Sequence, residues 1–213
     1  MGIFQNNLMG AAAAAASAGG GDFYSHQIAN STRYNQSASA HMYRTNGTPT
    51  NADKCTMSAW VKRTKLGSHT AFTGAYDSAG WGGGYLTIGM ENGDNFKFLH
   101  HPDSNAGTQG QITSDALYRD SSAFYHVVVA YDSSQGTAAN RVKIYINGSQ
   151  LTDITATTYP DQNQDFILNK SGCKIFIGSG GDSGGNAYQP WDGYIAEYVM
   201  IDGTAYAASD FGE

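Results

Sequence analysis

The chain has 213 residues, enough for one large all-β domain. Only 14% of them are charged, and the space is taken by small and uncharged polar residues, with 27 Gly and 14 Tyr but only four Pro. The balance of 12 basic and 18 acidic residues, net −6, argues against a nucleic-acid partner, which needs a basic patch; no run of 18 apolar residues offers a membrane-spanning helix, and two distant cysteines, Cys55 and Cys173, exclude a disulfide scaffold or zinc knuckle.

Residues 1–30 read differently from the rest. Through Ile28 they contain no Lys, Arg or Glu and a single Asp, Asp22. An alanine run, Ala11 to Ala16, leads through Ser17-Ala18 to the triplet Gly19-Gly20-Gly21. Alanine favours helix, but a dozen residues alone are marginal in water and the glycines stop a helix there. Ala16-Ser17-Ala18 looks like a signal-peptide cleavage site, yet the basic start of such a signal is absent, and Asn6 stands where a myristoylation signal carries Ser or Thr. The predicted element is an extended or partly helical attachment and oligomerisation arm, anchored by Ile3, Phe4, Leu8 and Met9; a plain tail is the alternative.

From Ser31 onward the period becomes two. Cys55, Met57, Ala59 and Val61 fall on one face of a strand over 55–61, and Leu86, Ile88 and Met90 on one face of a strand over 85–90. Asn92-Gly93 predicts a hairpin into a strand over 95–99. Further strands are predicted over 124–131, over 141–146 with an Asn147-Gly148 turn returning through 150–152, over 174–177 and over 194–201. His100 and His101 would face opposite sides of their strand, a poor geometry for a shared metal. Many short strands without helical pattern between them predict an all-β, antiparallel two-sheet jelly-roll sandwich over 31–213.

These strands carry a family resemblance. Residues 58–67, beginning Ser58-Ala59-Trp60-Val61, with Phe124 to Asp132, Asn140 to Gly148, Tyr159-Pro160, Trp191 to Glu197, Ile201 to Ala205 and Phe211-Gly212-Glu213, resemble the laminin-G-like, concanavalin A-like lectin/glucanase jelly rolls. They look most like the version found in structural proteins of tailed bacteriophages, and Asn6 to Ala11 is similar to the start of such proteins. In those proteins the chain often continues past this point. The resemblance implies a non-enzymatic virion protein, of tail fibre, appendage or capsid decoration, assembled in the host cytoplasm and exposed on the particle. Its partners would be other virion proteins through the arm, further copies of itself, and host-surface glycan.

Enzymatic readings compete with this one. Gly181-Asp182-Ser183-Gly184-Gly185 matches the string around the nucleophile of chymotrypsin-like proteases, and His41, Asp94 and Ser183 follow in a workable order. The string lies in a glycine-rich run, however, and a triad is recognised by geometry. A glucanase needs two carboxyls about 5–9.5 Å apart; Glu91, Glu197 and Glu213 do not form the alternating acid triplet of the glucanases on this fold. A secreted cellular lectin beginning at Gly19 is a third reading, to which the sequons at Asn30, Asn46, Asn147 and Asn169 add nothing by themselves.

Sugar recognition pairs aromatic faces with amide or carboxylate groups. Two loops offer both: one carries Asp77 and Trp81, the other Asp182, Asn186, Tyr188 and Trp191, although Trp191 reads equally well as a core or edge residue. Related laminin-G domains hold a single calcium ion; Asp77 or Asp182 would be its ligands here, although no dense acidic loop supplies the 6–8 oxygens calcium takes.

Overall fold

A computed structural model describes residues 29–77, 83–103 and 110–211. The arm anchors Ile3, Phe4, Leu8 and Met9, and Trp81, lie outside the described residues. The strands are β1 (Thr32–Tyr34), β2 (Met42–Thr45), β3 (Lys54–Arg63), β4 (Thr70–Tyr76), β5 (Gly83–Met90), β6 (Asn95–Asp103), β7 (Gln111–Leu117), β8 (Tyr125–Asp132), β9 (Val142–Ile146), β10 (Ser149–Gln150), β11 (Ile154–Thr158), β12 (Lys174–Ile177), β13 (Gly180–Gly181), β14 (Ala187–Tyr188) and β15 (Gly193–Asp202). Helix among the described residues is limited to short 3-10 turns, and none of it is long and apolar enough to cross a membrane.

Two antiparallel sheets face each other. One runs β1-β15-β3-β8-β9-β10, the other β11-β7-β6-β5-β4-β12-β2, and β13-β14 forms a separate hairpin. The period-two pattern places the core as expected: Cys55, Met57, Ala59 and Val61 are fully buried, as are Leu86, Ile88, Phe96 and Phe98 from the facing sheet. The outer face of β3 departs from the half-exposed expectation. Thr56 and Ser58 are buried as well, because the chain after β15 folds back over them. Thr56 Oγ1 donates to the Thr204 carbonyl and accepts from the Tyr206 amide, Ser58 Oγ bonds His126 Nε2 at 2.8 Å, and the Phe211 ring meets His126 edge-on.

Both predicted hairpins form, one with a shifted geometry. Asn147 and Gly148 both take positive φ, as a type I′ turn requires. In the β5–β6 turn the left-handed residue is Asp94 (φ 70°), whose carboxylate then points inward to Arg63 (2.9 Å) and Arg119 (3.0 Å). Arg63 is buried, and its remaining donors reach the carbonyls of Lys65 and Tyr118, so one ion pair ties three loops together. Three of the four sequon asparagines are committed to the fold: Asn46 and Asn169 are buried and donate to backbone carbonyls, and Asn147 Oδ1 accepts from the His126 amide.

Candidate functional site

The site is built from one end of the seven-stranded sheet. β4 leaves the sheet at Tyr76 and β5 returns at Gly83; β6 leaves at Asp103 and β7 returns at Gln111. Gly83 pairs with Asp103, so both connections start from the same end. Over the outer face of that end lies the β13–β14 hairpin. A Cβ on Gly74 would stand 2.4 Å from the Leu86 carbonyl and 2.6 Å from Gly180 Cα, so β4 is kept narrow where the hairpin crosses it. A Cβ on Gly185, in its turn, would press on the Tyr76 ring at 2.7 Å, and φ of 79° there already selects glycine.

The register then makes an aromatic row. Tyr76 pairs with Tyr85, and Tyr85 with His101, so the three rings lie side by side on the outer face. Tyr85 and His101 stack at 4.4 Å with 17° between planes. Burial, with the neighbouring Tyr188, pushes the Tyr85 phenol above its usual range. Tyr188 stands beside this row and is 49% exposed. Asp182 accepts from the amides of Gly184 (2.9 Å) and Asn186 (2.8 Å), and its other oxygen from Asn186 Nδ2 at 3.3 Å, which folds the turn and presents the Asn186 side chain to solvent. The result is a row of half-buried rings with exposed Tyr188 and Asn186 and the Asp182 carboxylate at its edge, the residue types that meet an apolar ring face carrying hydroxyls.

Two of the expected ligand residues sit elsewhere. Trp191 is a correction: it is fully buried, edge-on to Phe72 at 5.7 Å, with its amide donating to the Gly178 carbonyl, and so belongs to the core. Asp77 is largely buried and accepts from Lys170 Nζ at 2.7 Å. Burial would lower the Lys170 ammonium, but the hydrogen bond and charge of Asp77 outweigh it and raise the group above its ordinary value. Asp77 is thus paired with Lys170, and Asp182 accepts the amides of its own turn. Among the described residues no three His, Cys, Asp or Glu side chains gather in a way that could hold a metal. Tyr85 is not singled out by the sequence, and His101 is considered there only as a metal ligand. Their signal was available in the alternation, since both occupy outer positions of strands whose other face is apolar.

The protease string does not assemble. Ser183 lies in the β13–β14 turn, beside the start of β5. Asp94 follows the other end of β5, an eight-residue strand spanning about 25 Å, and is held by two arginines. His41 Nδ1 bonds the Ser39 carbonyl at 2.7 Å and its ring packs on Phe176.

Residues 35–208 match the Laminin_G_3 model, described as the concanavalin A-like lectin/glucanases superfamily. No curated protein matches the sequence. Among solved structures, the chain is similar to the native heptameric SAP-like pentraxin of Limulus polyphemus, with TM-score 0.56 and 14% identity over 81% of this chain and 73% of that one. It is also similar to the CBM40 of the Ruminococcus gnavus IT-sialidase bound to α2,3-sialyllactose, with TM-score 0.51 and 14% identity over 87% and 97%. Similarity to the NanB sialidase of Streptococcus pneumoniae reaches TM-score 0.59 at 16% identity, over 88% of this chain but 28% of that one. At these identities the likeness is one of fold.

Proposed function

The chain belongs to the Laminin_G_3 family of the concanavalin A-like lectin/glucanases superfamily, and on that premise we propose that it is a glycan-binding structural protein without catalytic activity. Its place is a bacteriophage virion, on tail fibre, appendage or capsid surface, with residues 1–30 joining it to other virion proteins. The observation that carries the binding role is the outer-face row Tyr76–Tyr85–His101 with exposed Tyr188 and Asn186 at its edge. The phage setting rests on the motif resemblance of residues 58–67, 124–132 and 191–197. At the aromatic row Asp77 is engaged by Lys170 and Asp182 by its own turn, and the close carboxyl pair Asp115–Asp153 lies on the β7–β11 edge, apart from the row.

The test is an array of bacterial surface polysaccharides probed with the full chain and with Tyr85→Ala and Tyr188→Ala. Losing one ring face costs roughly 1–1.5 kcal/mol, about a tenfold weakening. Binding to at least one glycan, weakened about tenfold in each variant, is expected; no binding, or binding indifferent to both substitutions, contradicts the assignment. Mass spectrometry of purified particles checks the virion role, for which the protein must co-purify at stoichiometric amounts.

A further inference from the structure

The sandwich is closed along one half of an edge and open along the other. β1 pairs with β15 only from Gly193 to Ile195, and beyond the bulge at Ala196–Val199 no described strand covers that edge of β15. In the facing sheet, β2 is the terminal strand. Met42 pairs with Ile177 and Arg44 with Ile175, so both point to the core side, yet Met42 is 50% exposed because nothing described lies over it. Between these two edges runs a groove of about 370 Å³, floored by Ile175 and Ile177 and walled by Tyr198 and Met200. At its base Tyr198 Oη and Thr73 Oγ1 bond across the sheets at 2.9 Å. Tyr43, 65% exposed, forms the rim. A channel between two sheet edges, apolar but for Arg44, is the shape that an added extended segment fills, with backbone groups to pair and side-chain space to occupy.

We propose that this groove receives residues 3–9 of a second copy of the chain, laid in extended form between β2 and β15. The inference rests on the reading of residues 1–30 as an attachment arm and deepens it by naming the partner. Composition suits the occupant: residues 3–9 carry no ionisable side chain and Ile3, Phe4, Leu8 and Met9 are apolar, so the charged side chain at the contact is the groove's own Arg44. Exit direction suits it too. Antiparallel pairing of Thr32 with Ile195 and Tyr34 with Gly193 sends the chain before Thr32 toward the Val199–Met200 side, the same edge that holds the groove. Two copies meeting edge to edge about a twofold axis then offer each arm the other's groove, a closed and self-complementary exchange. The apolar stretch is separated from β1 by roughly twenty residues, a reach of about 60–70 Å when extended, more than a groove beside β1 needs within one chain but suited to crossing to a neighbour.

The full-length chain with a photo-crosslinking benzoylphenylalanine at position 43 is mixed with an isotope-labelled copy, irradiated and mapped by mass spectrometry. Oligomeric state is measured in parallel for Met42→Asp and Phe4→Asp, with circular dichroism and thermal midpoint as controls for folding. The expected crosslink joins position 43 to residues 1–9 of the other isotopic copy, and both substitutions weaken self-association more than tenfold without changing the fold. Crosslinks confined to one chain, or to a segment other than 1–9, overturn the exchange. Self-association lost in Phe4→Asp but intact in Met42→Asp overturns the groove while leaving the arm its role in assembly. Self-association indifferent to both overturns the groove and the arm together.

Discussion

His100 and Arg63 show how much of the molecule's chemistry is spent on the fold. His100 is fully buried among Phe98, Tyr131 and Phe166, and burial, with His101 and Lys170 nearby, lowers its pKa to about 3. A group whose folded pKa lies below its unfolded value of about 6.5 contributes stability above pH 6.5 and loses it as pH falls. Stability should therefore decline from about pH 6.5 toward 3, by up to about 1.4 kcal/mol per pH unit from this residue. Urea unfolding of His100→Phe across that range should show a much shallower slope, and an unchanged slope would assign the acid sensitivity elsewhere. Asp94 acts lower in pH. Its burial would raise its pKa, but the Gly67 amide, Arg119 and Arg63 outweigh that and hold it below the usual carboxylate range. Its contribution is present above about pH 4 and is lost below it. Arg63→Met leaves this carboxylate with only the exposed side of its ion-pair network and should cost roughly 3 kcal/mol at pH 7, measured by urea midpoint. A cost under 1 kcal/mol would mean that the pair is not what fixes those loops.

At the scale of elements, legibility follows from what covers each strand. β6 and β9 could be read from the sequence because each buries one face and its burial alternates; β3 and β5 kept an alternating apolar pattern although both their faces are largely buried, and β8 was legible as a continuous apolar and β-branched run. β4 could not. Its Thr-Ala-Phe-Thr-Gly-Ala-Tyr is covered on one side by the core and on the other by β13, and here enclosure on both faces removes the alternation. Nor could one loop reveal which of its aromatics turns inward: Trp191 docks on Phe72, a residue far away in the chain, while Tyr188 remains outside. The pairing of Asp77 was hidden for the same reason, since Lys170 is 93 positions away. The hairpin over Gly74 gives an element-scale prediction. Gly74→Ala forces a methyl group into backbone atoms and should destabilise the protein by about 1–3 kcal/mol while lifting the turn that holds Tyr188. Hydrogen exchange should rise at Gly180, Gly181 and Tyr188 before it rises in β8; uniform loss of protection would show the hairpin to be no separate unit.

For the molecule as a whole, the two sheets divide the work. The outer face of the six-stranded sheet is partly sealed by the chain after β15, with Ala208 buried against it. The seven-stranded sheet carries a row of half-buried rings at one end of its outer face, with Tyr188 exposed beside it. On the proposed reading, glycan binding is placed at that end and assembly at the open edge between β2 and β15. The most direct measurement is chemical-shift mapping of the full chain titrated with the polysaccharide that binds best on the array. Shifts concentrated at Tyr76, Tyr85, His101, Asp182, Asn186 and Tyr188 are predicted. Saturable shifts confined to the opposite sheet, around Tyr145 and Tyr206, or no shifts at any concentration, would contradict a glycan site on the aromatic row.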